Sequence, residues 1–299
     1  MTWTDGWGTE LHLDGRGRDL ATGGDMSTDV LAASRMVVDV DPMRQIRRIK
    51  TIPEREGLSR LVGTGSGSGY RTRLADAVST LVGSDPVDLL LDDVPGATLV
   101  SGFAFAQWFP IEELLASASK GAGAGRSMEG ICTGFMPGSS GLAPDGTSRW
   151  THRTRPVEPL GSGSDHRAWH ELPEITEVSM RRARRIDVWR EDSVVYVDAM
   201  FQDSSTRPAG GRIAVHEYAL TATVDMRTGR LTSVIPEPHV LPYAECPLAV
   251  LNVDRLLGVQ TRELRTVVLD ELQGVAGCTH LNDALRALAD IPYLVGRLS

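Results

Sequence analysis

Four consecutive segments in the second half of the chain alternate apolar and polar residues. The first, 184–190, places Ile186 and Val188 on one face. Such alternation is typical of half-buried strands, because successive side chains of a strand point to opposite faces. Short turn sequences separate the segments, which predicts antiparallel pairing between neighbours. The other three strands are predicted at 194–201, 213–225 and 231–235.

Helical spacing replaces this alternation after the fourth strand. Apolar residues recur every three or four positions in 247–257, 261–272 and 279–288. Thr261 is suited to begin the second of these helices and Gly274 to end it, and Ile291-Pro292 follows the third. A run of strands followed by a run of helices is typical of the α+β class. The sequence therefore predicts an antiparallel β-sheet followed by a C-terminal helical layer.

Composition divides the chain into four parts. Residues 1–30 are polar and glycine-rich, and we expect them to be poorly ordered. Residues 31–118 form an N-terminal α/β portion, with strands predicted at 36–41, 87–91 and 97–105 and a helix at 70–82. Residues 119–165 are rich in Gly, Ser and Pro, and we expect a loop that covers a site. Residues 166–299 contain the predicted sheet and the C-terminal helices.

Charge and composition exclude several classes of function. The 299 residues carry a net charge of −8 and are 41% hydrophobic, which predicts a soluble globular protein and argues against a nucleic-acid partner. No apolar run approaches the roughly 20 residues of a membrane span, and no signal peptide is visible. We therefore expect a cytoplasmic protein with reduced cysteines. Lys50 and Lys120 are its only lysines, which disfavours a Schiff-base mechanism.

One basic run contrasts with this acidic balance. Arg181, Arg182, Arg184 and Arg185 lie at the start of the first predicted strand. A solvated strand edge is one interpretation of the run. A patch that binds a phosphate or carboxylate group is the other, because the guanidinium fork matches both anions.

Two of the three cysteines lie at predicted helix N-termini. Pro247 follows Cys246 at a first helical position, and Cys278 directly precedes Thr279. The positive end of a helix dipole stabilises a thiolate, so we expect a lowered pKa at both cysteines. His280 lies in the same turn as Cys278, close enough for the two to act as metal ligands or as a thiolate/imidazole pair.

Histidines on the predicted sheet could complete this group. His216 and Tyr218 share a mostly apolar face of the strand 213–225. His216 is then either a buried core histidine or a side chain directed at the helix starts. His239 and Glu237 lie in a proline-rich segment that leads to Cys246, which predicts that they lie near that cysteine, and a solvent-facing His239 is the equal alternative.

Three interpretations of the Cys/His group remain open. The first is a Zn²⁺ site held by Cys246, Cys278 and one or two of His280, His216 and Cys132. The second is a Cys278 nucleophile with His280 or His216 as its base. The third is purely structural, with the cysteines as small apolar side chains. No dinucleotide or P-loop motif is visible, so we expect no nucleotide cofactor and leave Zn²⁺ and no cofactor as equal alternatives.

Several motifs resemble a known family as a set. They are His216-Glu217-Tyr218, Asp225, 241–247 (Leu-Pro-Tyr-Ala-Glu-Cys-Pro), 277–283 (Gly-Cys-Thr-His-Leu-Asn-Asp), 89–99 and the loop around Cys132. Over about 35–295 the chain resembles the uncharacterised bacterial domain-of-unknown-function family 2889. The resemblance implies no activity. The C-terminal half is also similar in layout to iron–sulfur cluster scaffold proteins, with Cys246 and Cys278 matching and His216, Asp225 or Cys132 replacing a missing cysteine.

From these features we expect an enzyme that acts on a small acidic or carbonyl-bearing metabolite in a specialised bacterial pathway, by lyase, isomerase or hydrolase chemistry. Cys278, His280 and His216 are the expected catalytic residues, oriented by Asp225 or Glu237. The expected substrate contacts are Tyr218, His239, Tyr243, Asn282 and Cys132. A non-catalytic metal or iron–sulfur scaffold, and a ligand-binding protein without chemistry, are the alternatives.

Overall fold

The computed structural model describes residues 1–25, 27–78, 85–118, 127–149, 153–162 and 166–298. The chain divides into two compact units, each built from several separate segments. The first unit comprises Met1–Trp108, Glu158–Met180 and Thr206–Gly211, and the second comprises Phe109–Val157, Arg181–Ser205 and Arg212–Ser299.

The first unit contains a sheet of four strands in the order β1-β2-β3-β4. These strands are β1 (Thr2–Trp3), β2 (Leu11–Thr22), β3 (Thr28–Val40) and β4 (Ile46–Ile52). Neighbours pair antiparallel. Residues 1–30 are therefore largely strand, and the expectation of poor order was wrong. Their glycines and charged residues occupy exposed or half-buried strand positions, while Leu11 and Leu13 join the core of this unit.

Helices replace two strands that the sequence predicted in this unit. Its helices are α1 (Tyr70–Ala77), α2 (Pro86–Asp92) and α3 (Val94–Ser101), and α3 continues into a 3₁₀ helix, Gly102–Gln107. Asp85 caps α2 by accepting a hydrogen bond from the Val87 N–H at 2.9 Å. The strands predicted at 87–91 and 97–105 were wrong, because short apolar runs have no periodicity that separates buried helix from buried strand. The second half of the predicted helix 70–82 lies partly outside the described residues.

The second unit begins with α4 (Ile111–Ala118) and contains a five-stranded sheet. The strands are β5 (Arg155–Val157), β6 (Met180–Glu191), β7 (Val194–Thr206), β8 (Arg212–Asp225) and β9 (Arg230–Val240). Their order is β5-β8-β7-β6, and β9 pairs antiparallel with β8 beyond β5 along the same strand. The four strands predicted from alternation correspond to β6–β9, and each is longer than predicted.

The C-terminal layer is helical, as predicted, but much of it is 3₁₀ helix. Cys246–Leu256 is 3₁₀ throughout, and Thr261–Glu263 is a 3₁₀ turn that leads into α5 (Leu264–Glu271). A 3₁₀ turn, Gly274–Ala276, precedes α6 (Thr279–Ala287), and Leu288–Asp290 leads into α7 (Ile291–Val295). Their apolar faces and the inner face of the sheet form one buried cluster. The fold is α+β, which confirms the predicted class.

The described part of the glycine-rich segment, 127–149, packs within the second unit. Its 3₁₀ turn, Thr133–Phe135, is held because the Thr133 N–H donates to the Gly277 carbonyl at 2.9 Å. Ser140 donates from its N–H and its hydroxyl to the Glu245 carboxylate. Within the described ranges no single helix could cross a membrane by length and composition, and α2 with the helical stretch Val94–Gln107, bent by 46°, meets that test only as a pair.

Candidate functional site

Strand β8 and the start of α6 bring together two pairs of residues in the second unit. His216 and Tyr218 are both buried and, two positions apart on β8, point to the same face. Cys278 is the N-cap of α6 and His280 lies in its first turn. The His280 ring stacks on the His216 ring. The two elements thus bring the two histidines into contact.

The histidines form a compact group with Asp203, which lies on β7. The His216 Nδ1 is 3.6 Å and the His280 Nε2 is 3.7 Å from the same carboxylate oxygen, Oδ2 of Asp203. One ligand atom from each residue lies within 4.8 Å of the other two. The imidazole centroids are 3.3 Å apart with 15° between the ring planes. These three residues could hold a metal ion.

Asp203 is fully buried, and Arg182 compensates its charge. The Arg182 guanidinium donates from Nε to Oδ1 at 2.8 Å and from Nη2 to Oδ2 at 3.0 Å. Its Nη1 donates to the Asp283 carboxylate at 2.8 Å. A carboxylate has about four lone-pair sites, so the fork of Arg182 leaves acceptor capacity on Oδ2. With both carboxylates ionised and the histidines neutral, this group carries a net negative charge.

Burial keeps His280 in the neutral form that a metal ligand requires. Removal from water and, second, the nearby Arg182 guanidinium hold the pKa of His280 well below its usual range. The Thr279 hydroxyl lies 3.2 Å from the Nδ1 of His280. If Nδ1–H donates to this hydroxyl, the Nε2 lone pair faces Asp203. The buried Nε2 makes no hydrogen bond among the described residues.

The three cysteines lie in the hydrophobic core instead of joining the histidines. Cys246 and Cys278 belong to the core cluster, and Cys132 is buried beside them. Burial, followed by the charge of Cys278, raises the pKa of Cys132 to about 12. Burial likewise raises the pKa of Cys246 and of Cys278. The expectation of a lowered pKa was wrong, because the cost of burying a thiolate outweighs the helix dipole and the N–H groups of His280 and Leu281.

Of the candidate metal ligands named from the sequence, only His216 and His280 belong to the group that the structure forms with Asp203. Among the described residues the possible metal group includes Asp203 in place of Cys246 and Cys278. Asp203 was not predicted from the sequence, because it falls in a polar run, Gln202-Asp203-Ser204-Ser205-Thr206, beyond the predicted strand end at residue 201. Arg182 was noted only as part of a basic run. The sequence did contain a signal for Asp203. Continuing the strand alternation through residue 203 would have placed this side chain on the buried face of β7.

Asp225, Glu237 and His239 lie away from this group. Asp225 begins the turn into β9, where its Oδ1 accepts hydrogen bonds from the Thr228 N–H and hydroxyl, both at 2.7 Å. The His239 Nδ1 is 3.2 Å from Glu217, which adjoins His216 in β8 and therefore points to the opposite face of the sheet. The Glu237 side chain is largely exposed beside His239. The geometry therefore does not support Asp225 or Glu237 as residues that orient the expected catalytic side chains.

The other expected substrate contacts have structural partners. The Tyr243 hydroxyl donates to the Arg149 carbonyl at 2.8 Å, and its ring packs on Phe135. Asn282 is buried and donates from Nδ2 to the Leu272 carbonyl at 2.9 Å. Cys132 precedes the 3₁₀ turn that docks on Gly277. These residues hold the covering segment and the start of α6 in place.

Comparison with known proteins finds that residues 180–294 are similar to a family without an established activity. No curated protein and no solved structure matches the chain, and the similarity of layout to iron–sulfur scaffolds is not confirmed. Residues 180–294 match the family described as a protein of unknown function, DUF2889. This match includes the strands β6–β9, both histidines, Asp203 and Arg182. The similarity to this family is limited to that segment.

Proposed function

We propose that the chain binds one divalent transition-metal ion through Asp203, His216 and His280, and that it uses this ion in non-redox chemistry on a small acidic or carbonyl-bearing metabolite. The observation that supports the proposal is the convergence of the three ligand atoms within 4.8 Å of one another. Residues from β7, β8 and α6 contribute, so the fold itself creates the group.

The ligand set indicates the kind of metal and the chemistry. Two imidazoles and one carboxylate bind Zn²⁺ in hydrolytic enzymes and other first-row metals elsewhere, and they leave coordination positions open. An ion held this way acts as a Lewis acid that polarises a carbonyl or carboxylate oxygen. Arg182 orients Asp203, and Thr279 orients His280, in the manner of the outer partners of metal ligands.

A second candidate, a non-catalytic metal carrier, is favoured by the burial of the same residues. Asp203 is 0%, His216 7% and His280 9% exposed, which leaves little open surface for a substrate. The protonated, buried thiols give no comparable support to an iron–sulfur scaffold or to a thiolate nucleophile.

Metal content measured by plasma mass spectrometry tests the proposal. We expect near-stoichiometric metal in the wild-type protein and its loss in Asp203→Asn and His280→Gln, which preserve side-chain size. Glu237→Gln is the matched control, because this exposed acid lies outside the group. Cys278→Ala tests the sulfur alternative and should retain the metal. Circular dichroism must show that each variant is folded, and Asp203→Glu supplies a second, milder change at the carboxylate.

The outcomes separate the candidates. A metal-free wild-type protein that also fails to bind added Zn²⁺ after chelation would rule out both candidates. Loss of metal in Cys278→Ala but not in Asp203→Asn would point to the cysteines. If the metal is present as expected, metal-dependent hydrolysis of a nitrophenyl ester supports the enzyme. Rapid release of the ion to a competing chelator, without such activity, supports the carrier.

A further inference from the structure

The basic run at the start of β6 is divided between the two faces of the sheet. Arg182 binds Asp203 and Asp283 on the inner face. Arg184 lies on the same side, where its Nη2 donates to the Asp283 carbonyl at 3.3 Å. Arg185 points the other way and pairs with Asp187 at 2.9 Å. By alternation, Arg181 also faces the outer side. The run is therefore more than a solvated strand edge.

Arg181 has two buried donors for which the described residues supply no acceptor. Its Nε and Nη2 atoms are both shielded from solvent, and neither makes a hydrogen bond among the described residues. Burial alone lowers the pKa of its guanidinium. A shielded N–H without an acceptor destabilises the fold, and more so when the group is charged. Such a pair of donors therefore indicates a missing negatively charged acceptor.

A second guanidinium adds to the positive charge at this place. The pKa of Arg212 is lowered to about 9. Burial is the larger cause, and the charge of the neighbouring Arg181 is the smaller one. The Nε of Arg212 donates to the Ser204 hydroxyl oxygen at 3.1 Å, and its Nη2 donates to the Ser204 carbonyl. Ser204 is itself fully buried, and its hydroxyl keeps a proton to donate. Two like charges held together in a shielded place repel each other unless an anion joins them.

We propose that Arg181, Arg212 and Ser204 form a binding site for an oxyanion, namely the phosphate or carboxylate group of a small ligand. Arg181 offers two neighbouring N–H donors, Nε and Nη2, which match two oxygens of such a group. The positive charge of Arg212 and the hydroxyl of Ser204 complete the set. Arg181 and Ser204 adjoin Arg182 and Asp203 in sequence, so by alternation their side chains point to the opposite face of the sheet from Asp203.

Isothermal titration calorimetry with inorganic phosphate and, separately, with sodium acetate tests this site in the full chain. Sodium chloride at equal ionic strength corrects for general screening. We expect saturable binding of at least one anion, and its identity shows whether the site prefers phosphate or carboxylate. Arg181→Gln should weaken the association constant about tenfold or more, because it removes a charged two-donor contact. Arg190→Gln, an exposed arginine on the same strand, is the matched control and should bind like the wild type.

A second variant and a stability measurement keep the test decisive. Arg181→Lys retains the charge but loses the paired donors, so we expect binding between that of the wild type and Arg181→Gln. In anion-free buffer, Arg181→Gln should melt at or above the wild-type temperature, because an uncompensated charge is gone, and the added anion should raise only the wild-type value. The proposal is overturned if the wild type binds neither anion, or if Arg181→Gln binds them equally well.

Discussion

At the scale of single residues, the burial of a side chain has a larger effect on its pKa than its position along a helix. Cys278 caps α6, where the helix dipole and two N–H groups favour the thiolate, yet burial dominates and raises its pKa. The same holds for Cys246 at the start of its 3₁₀ helix. His280, two residues further along in the first turn of α6, is kept neutral by the same physics. Burial thus suppresses thiolate chemistry while it preserves an imidazole that can bind metal.

Alkylation rates test the state of the thiols. With the pKa of Cys132 at about 12, its thiolate fraction at pH 8 is on the order of 10⁻⁴, roughly a thousandfold below that of an ordinary thiol. We expect iodoacetamide to modify none of the three cysteines appreciably in the native protein at pH 8. All three should react within minutes in 8 M urea, which serves as the control. Fast, stoichiometric modification of native Cys278, located by peptide mass mapping, would restore it as a candidate nucleophile.

At the scale of elements, regular alternation and amphipathic spacing are what the sequence reveals reliably. Strands β6–β9 and helix α6 follow from patterns that repeat over many residues. Helices α2 and α3 do not, because they are short and bury residues on more than one side, so no single apolar stripe marks them as helices. The end of β7 was also missed, since its polar residues bind partners across the sheet and not solvent. The His216/His280 contact was anticipated, whereas its carboxylate partner was not.

The covering segment, residues 127–149, depends on glycines where backbones approach closely. A Cβ built at Gly141 would lie 2.4 Å from the Gly134 carbonyl oxygen and 3.0 Å from the Tyr243 ring. A Cβ at Gly134 would lie 2.7 Å from the Cys246 sulfur. The segment therefore packs as tightly against the Cys246 region as a core element does. Composition alone suggested a loop and could not show this contact.

Gly141→Ala tests that close packing. Because the nearest atom is a backbone oxygen, the variant must shift the segment, and we expect a loss of about 1–3 kcal/mol in the free energy of unfolding, the usual cost of overpacking. Urea denaturation followed by circular dichroism measures it. Gly161→Ala is the matched control, since a Cβ there meets nothing within 4 Å. Equal urea midpoints for Gly141→Ala and Gly161→Ala would show that the covering segment is only loosely packed against the rest of the unit.

At the scale of the whole molecule, the family-matched stretch is only part of a folding unit. The second unit also takes residues from Phe109–Val157. Strand β5 pairs with β8 through Arg155, Pro156 and Val157. Further hydrogen bonds join Thr133 to Gly277 and Tyr243 to Arg149. Removing these partners would expose Tyr243 and the buried cysteines and would leave backbone groups without acceptors or donors.

Isolated residues 180–294 should therefore unfold less cooperatively than the full chain. We expect this fragment to bind a hydrophobic dye and to show a shallow urea transition at a lower midpoint, because apolar surface and backbone groups lose their cover. A fragment of residues 109–299, which retains every segment of the second unit, is the control and should show the steeper transition of the two. Dye fluorescence and circular dichroism across a urea series measure both properties. If the 180–294 fragment unfolds as sharply and at the same midpoint as the control, then the covering segment and β5 contribute nothing to stability, and the family-matched stretch is by itself the folding unit.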